Sequence, residues 1–471
     1  MQTKFINKFF NFWDRDDLAV IMKWDSSISY KELFQRSKNI AEYLSEHNIS
    51  KNTYVPLLII DQIKFIESVI ALWYLGAIPV PLNTKLVDDE ISLILEDCDF
   101  KFLITDKEFS PNRRQKDLNR IELNEITFSG SSNKNFSFPT LDDEAIVIFT
   151  SGSSGKPKGV VHTFSSLINN IKSGNNILDL KEGDRWLASL PFYHIGGFQI
   201  ICRSLFYGCS IIIPESQQTN HLADAIVKNK PSHLSLVSTQ LKRLINDKII
   251  PDKSLKVSLI GGGFVEDELM FKADKLGWKP FRVYGSSETG SLITAISAEE
   301  IIEKPQSVGK VFSNVEIIIS DDSEILIKSN SLFKKYLDDQ KETSLKLIYG
   351  FYHSGDLGFV DNDVYLFIEA RRNDLIVTGG ENVNPIEVES ALKQITGVIE
   401  ACVFAKQSKT WGQKVAAAIV INDLSLNEKS IKGILKQKLA GYKIPKQFYF
   451  LDELPKTSLG KLERDKIKKM F

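Results

Sequence analysis

The chain has 471 residues, 43% of them hydrophobic and 25% charged, the balance of a globular protein rather than a disordered or fibrous one. At roughly 150 residues per domain, this length suggests about three structural units. With 59 basic against 60 acidic residues and a net charge of −1, there is no positive excess to favour nucleic acid or an anionic membrane as the main partner.

Read in chain order, the start, "MQTKFINKFFNFWDRDD", is interrupted by Asn and Asp before a sustained apolar core forms, so it does not read as a targeting segment. Tyr54–Ile60 is an apolar run of strand length. Asp61–Gly76 follows with an aspartate before a helical apolar pattern and a glycine at its end, which are helix start and stop signals. Ala77–Asn83 resumes a strand, which makes a βαβ unit. Val69–Leu82, the longest apolar stretch, holds a glycine and two prolines and is too short to span a bilayer. A cytoplasmic protein is expected.

Phe100–Asp106 adds a buried strand, Ser129–Phe138 reads as a surface loop, and Ala145–Phe149 is another strand-like run. Strands and helices then alternate: Cys209–Glu215, His221–Lys230, His233–Thr239, Gln240–Asp247, Lys256–Gly263 and Phe281–Ser287. This alternation predicts α/β layers with mostly parallel sheets. Between Ser313 and Leu357 the segments are short strands with little helix, which suggests a small antiparallel sheet or barrel. "ARRND" fits a solvated linker, and a small α+β unit of about one hundred residues follows it. Cys98, Cys202, Cys209 and Cys402 form neither a CxxC nor a Cys/His cluster. Buried free thiols are expected, rather than a zinc site or a disulfide framework.

The stretch from Phe149 to His162, "FTSGSSGKPKGVVH", is rich in glycine and hydroxyls. Flexible linkers have this composition, and so do loops whose backbone N–H groups wrap phosphates. The GxxxxGK[ST] spacing fails here, because Pro157 follows Lys156 and disfavours a helix interior. "TSGSSGKPKG" instead resembles the phosphate loop of the adenylate-forming superfamily, which includes acyl-CoA synthetases, luciferases and peptide-synthetase adenylation domains.

Further motifs extend the resemblance along essentially the whole chain. "YGSSETG" (Tyr284–Gly290) resembles YGxTE, "HSGDLG" (His353–Gly358) the TGD motif, Ala370–Glu389 the segment GRxDDxIxxGGENVxPxEVE, and "LPKTSLGKLERDKI" the motif PKTxxGKxxR. The fold implied is α/β. It has a large N-terminal domain of two α/β sheets plus a small β-barrel (1–370), a hinge (371–374) and a small mobile α+β C-terminal domain (375–471).

The roles below are those the resemblance implies. Thr150, Ser151, Gly152, Ser153, Ser154, Gly155, Lys156 and Lys158 hold the ATP phosphates. Glu288, with Thr150, holds Mg²⁺; on its own sequence context Glu288 also reads as a surface-loop carboxylate. Tyr284 flanks adenine, Ser287 (in place of the usual threonine) meets the α-phosphate, and Gly262 and Gly285 border the nucleotide. Asp356 takes both ribose hydroxyls, since an ionised carboxylate offers acceptors to two O–H donors. Arg371 contacts ribose or phosphate. Asn373 stands at the hinge, where Asp or Lys is usual. Gly379 and Gly380 let the pantetheine arm of coenzyme A pass, because no side chain blocks it. Lys461 is the catalytic lysine, cationic with an ordinary pKa near ~10.4, placed to stabilise charge at the α-phosphorus.

The acid pocket is expected between Leu190–Phe198, the helix near Gln240 and the glycines after Ile260, with His194 and Phe198 as an aromatic floor. "SHLSLVSTQLKRLI" (Ser232–Ile245) closely resembles the THxSLVPTQLxRLL segment of o-succinylbenzoate–CoA ligases of menaquinone or phylloquinone synthesis, with Ser238 where proline is usual. His194, Ser238, Thr239 and Gly262 are candidate acid contacts; Gln240 and Arg243 are read as structural. Other readings stay open: a different aryl- or fatty-acyl-CoA ligase, a carrier-protein-loading adenylating enzyme, or a non-catalytic nucleotide-binding regulator. The partners implied are a carboxylic acid, ATP and coenzyme A, with room for a homo-oligomer.

Overall fold

The computed structural model describes residues 7–11, 14–21, 26–109, 118–125, 136, 138–150, 157–263, 265–371, 376–423, 425–455 and 464–471. The strand Tyr54–Leu58 lies parallel to Ile78–Pro81, with the helix Gln62–Leu75 between them in the chain. This is the expected βαβ unit, and its caps are those the sequence announced. Asp61 accepts from the N–H groups of Ile63 and Lys64, and Gly76 closes the helix at φ 66°, where a side chain would be strained. The first strand ends before Ile60 because the N–H groups of Ile60 and Asp61 turn to the Asp106 carboxylate, at 2.7 and 2.9 Å. Nearly every side chain from Phe65 to Tyr74 is buried, so this is a core helix. Trp73 Nε1 donates to Ala145 O at 2.8 Å and ties it to the next sheet.

Strands Tyr54–Leu58, Ile78–Pro81, Phe102–Thr105 and Asn119–Glu122 make an all-parallel sheet. A second, long sheet has a parallel centre of His233–Val237, Val257–Gly261 and Pro280–Ser286. It continues through antiparallel strands Ser291–Ser297, Gly309–Val311, Tyr365–Arg371, Phe351–Val360, Glu324–Ser329 and Val315–Ile319. These last strands are the short ones the sequence showed after Ser313. They extend the long sheet as an open path, so among the described residues no ladder closes them into the expected barrel. The end strand Val315–Ile319 alternates partly covered and exposed side chains, the pattern of an edge. Among these short strands, Tyr349 and Gly350 sit at φ 52° and 81°. They turn Leu347–Ile348 back onto Phe351–Val360 as a hairpin.

Residues 376–450 hold a separate five-stranded sheet with the helices Pro385–Lys393 and Glu428–Lys438 and their own core, the small α+β unit expected. Among the described residues no helix is long and apolar enough to cross a membrane. The four cysteines are free thiols, three of them buried.

Candidate active site

The turn after Pro280–Ser286 carries Ser287 and Glu288, and hydrogen bonds from several elements hold it. His162 Nε2 donates to Ser287 O at 2.7 Å, Gln199 Nε2 to Gly290 O at 2.8 Å, and Asn170 Nδ2 to Thr289 O at 3.2 Å. Phe333 N–H donates to Glu288 O at 2.8 Å, and Ser286 N–H to Thr289 Oγ1 at 2.8 Å. The turn is tight: a Cβ on Gly285 would lie 2.0 Å from Ser291 O. Gly285→Ala is therefore expected to cost about 3 kcal/mol of stability, read as a lowered denaturation midpoint.

His162 is fully buried, and burial pushes its pKa down to about 4 despite the Ser287 carbonyl. A histidine depressed from 6.5 contributes stability above pH 6.5 that is lost as pH falls through 4, about 3 kcal/mol in all. Denaturation followed from pH 7 to 4.5 should show this loss, and His162→Gln should flatten it.

Three carboxylates, Glu288 on this turn with Asp356 and Glu342, are each engaged by a partner. Tyr284 Oη donates to Asp356 Oδ2 at 2.7 Å, and Asp356 is 5% exposed. Arg371 lies directly across the ladder from Asp356. Tyr336 Oη donates to Glu288 Oε1 at 3.0 Å. Thr150 ends the strand Glu144–Thr150, with its hydroxyl 3.4 Å from Lys158 O. The Lys158 ammonium pairs with Glu342 at 2.6 Å, a partner 184 residues away that local motif reading does not reveal. Residues 151–156, Asn373 and Lys461 lie outside the described residues.

His194 immediately precedes the helix Ile195–Tyr207. That helix start packs closely on the preceding loop, since a Cβ on Gly197 would meet Pro191 O at 2.0 Å. His194 points outward to Glu381 of the C-terminal unit, with Nε2 and Oε2 3.1 Å apart. Glu381 also accepts from Lys85 Nζ at 2.6 Å and Tyr193 Oη at 3.3 Å. Burial alone would raise the Glu381 pKa. The bond and charge of His194, together with Lys85, outweigh it and hold the carboxyl at about 2. Thr150, Ser287, His194 and Glu381 line one cavity of about 100 Å³.

Phe198 does not line that cavity. It is fully buried in the core with its ring 6.1 Å from Trp73, because the helix Ile195–Tyr207 is covered on nearly all sides. Ser238 and Thr239 open the helix Ser238–Asn246 rather than ending a strand. Gln240 is structural, as read: its Oε1 accepts from Val237 N–H and its Nε2 donates to Ser189 O. Arg243 instead reaches the C-terminal unit, donating to Thr410 O at 2.8 Å with its guanidinium 5.1 Å from the Trp411 ring.

Gly379 and Gly380 turn at φ 58° and 89°. A Cβ on Gly379 would meet Trp411 at 2.9 Å, and one on Gly380 would lie 3.4 Å from Val237. A Cβ on Gly262 (φ 77°) would also lie 3.3 Å from Val237. Both glycine turns therefore press on the start of the Ser238 helix.

The AMP-binding enzyme family matches residues 13–337, and the AMP-binding enzyme C-terminal domain matches residues 387–461. The 2-succinylbenzoate–CoA ligase of Bacillus subtilis (strain 168) is 32% identical over 454 residues, covering 94% of this chain and 93% of that protein. Solved structures of o-succinylbenzoate CoA synthetase from Bacillus subtilis are 31% identical over 98% of this chain. A double mutant of it bound with the product analogue OSB-NCoA superposes with a TM-score of 0.93 and covers 98% of that chain. Its complexes with the acyl-adenylate OSB-AMP and with ATP and magnesium give 0.75 and 0.74, over 98% and 99% of those chains. With both domains matched in order and this identity sustained along nearly the whole length, the chain belongs to the AMP-binding enzymes.

Proposed function

We propose that the protein is an acid–CoA ligase. It joins 2-succinylbenzoate to ATP to give the acyl-AMP and diphosphate, then passes the acyl group to coenzyme A with release of AMP. The observation that carries this reading is the single cavity bordered by Thr150 and Ser287 on the nucleotide side, His194 on the acid side and Glu381 from the C-terminal unit. Its substrate is supported by the 2-succinylbenzoate–CoA ligase relative and by the Ser232–Ile245 segment. The product would enter menaquinone synthesis, and the reading places the enzyme in the cytoplasm.

In the first step an oxygen of the acid attacks the α-phosphorus and diphosphate leaves. The Tyr284 ring flanks adenine. Its hydroxyl orients Asp356 for the ribose hydroxyls. Thr150, the 151–156 loop, Lys156 and Lys158 hold the phosphates, and Ser287 meets the α-phosphate. Lys461 offsets the charge that builds there. Among the described residues no cluster of three or more His, Cys, Asp or Glu could cage a metal. Mg²⁺ bound through phosphates needs only one or two protein carboxylates. Glu288, held by Tyr336 beside the Ser287 turn, fits that role with Thr150. Bound there, Mg²⁺ supplies neutralisation of phosphate charge.

In the second step the thiol of coenzyme A attacks the acyl carbon and AMP departs. The Gly379–Gly380 turn, which packs against Trp411 and Val237, is the segment this reading sets beside the pantetheine arm. Splitting one condensation into two displacements is the advantage of an activated intermediate.

Acid-dependent ATP–diphosphate exchange tests this. It should appear with 2-succinylbenzoate and fall by at least about 100-fold in Lys461→Ala. The same variant given pre-formed acyl-AMP and coenzyme A should still make thioester. A non-catalytic nucleotide binder would show no exchange at all.

A further inference from the structure

The C-terminal unit touches the rest of the chain through a second buried charge cluster. Glu90, on the helix Asp88–Asp97, is 7% exposed. Its Oε1 accepts from Lys443 Nζ at 2.7 Å and its Oε2 from Ala440 N–H at 2.9 Å. Oε2 also accepts from Val87 N–H at 3.2 Å, within its own helix start. Lys443, 6% exposed, pairs at 2.7 Å with Glu387 on the helix Pro385–Lys393 as well. Beside them Asn83 Nδ2 donates to Tyr442 Oη at 3.0 Å.

The two carboxylates around Lys443 are not equivalent. Glu387 belongs to the same unit as Lys443, whereas Glu90 lies some 350 residues earlier. If the C-terminal unit turns away, Lys443 takes Glu387 with it. Glu90 keeps the Val87 N–H and gains water. Removing one partner of a buried pair is costly because it strands a charge in low dielectric, and here neither charge is stranded. The contact is therefore specific to one orientation and still releasable, as a two-reaction cycle requires.

We propose that Glu90 and Lys443 form a releasable latch that holds the C-terminal unit in the orientation described here, and that they act as positioning residues for thioester formation without touching substrate. This rests on the ligase reading, in which the orientation is the one shared with the product-analogue complex.

Glu90→Gln tests it, since glutamine keeps the size and an acceptor for Val87 N–H. Expected are diphosphate exchange within about twofold of wild type and a single-turnover rate of thioester formation from acyl-AMP lowered about tenfold, the scale of one charge-assisted bond. Lys443→Met should slow the same step, and the double variant should be no slower than the slower single one. Equal loss of both half-reactions, or additive losses in the double variant, would overturn the latch.

A second readout needs no substrate. The Ala440 amide should be protected from hydrogen exchange in wild type and exchange about tenfold faster in Glu90→Gln; unchanged protection would also overturn the proposal. A wild type that makes no acyl-AMP from 2-succinylbenzoate counts against the substrate reading and leaves the amide measurement to decide the latch.

Discussion

Glu381→Ala is expected to slow thioester formation about 100-fold while leaving acyl-AMP formation within about threefold of wild type. The Glu381 carboxylate is the buried meeting point of Lys85, Tyr193 and His194, and it joins the C-terminal unit to the loop that holds the candidate acid contact. Truncating it removes the buried carboxylate that Lys85, Tyr193 and His194 share, and a pair with one buried member is worth more than a fully exposed one. Glu381→Gln keeps the shape and loses the charge, so about a tenfold loss is expected. The sign with pH follows. A carboxyl held at about 2 contributes above its usual value near ~4.3, and that contribution is lost as pH falls through 2. Across neutral pH the Glu381 carboxylate itself should stay ionised. Rapid mixing of pre-formed acyl-AMP enzyme with coenzyme A measures the step, and diphosphate exchange is the control. A matching fall in both would reduce Glu381 to a folding role.

Asp356→Ala is expected to weaken ATP binding about 100-fold, the loss of two charge-assisted bonds to the ribose. Asp356 is buried on the strand Phe351–Val360 and oriented by Tyr284 Oη and by its own N–H, which donates to Ser354 Oγ at 3.0 Å. Tyr284→Phe removes only the orienting hydroxyl, and about a threefold to tenfold loss is expected. Calorimetric titration with ATP separates the two. Wild-type affinity in Asp356→Ala would remove the ribose assignment.

Local signals in the sequence carried much of this. Asp61 and Gly76 bound their helix because caps act through neighbouring backbone groups. The short strands after Ser313 are antiparallel, as their spacing suggested, but whether such strands close into a barrel depends on distant pairing. Thr150, Ser287 and His194 come from separate motifs and do share a cavity. Phe198 shows the limit: a helix buried on nearly every side, its polar residues included, gives no sign of which face meets a pocket. His162, Asn170 and Gln199 escaped notice, although polar residues inside apolar runs were a signal available for them. Glu342 beside Lys158, and Lys443 beside Glu90, are joined only by tertiary folding, and no periodicity connects them.

The identity of the acid decides what the enzyme does. Incubating the enzyme with ATP, Mg²⁺ and coenzyme A and one acid at a time, then weighing the thioesters by mass spectrometry, tests it most directly. The acids are 2-succinylbenzoate, benzoate, 4-hydroxybenzoate and a medium-chain fatty acid. 2-Succinylbenzoyl-CoA is expected as the dominant product, with AMP and diphosphate formed in step. Turnover of another acid in preference to 2-succinylbenzoate would contradict it.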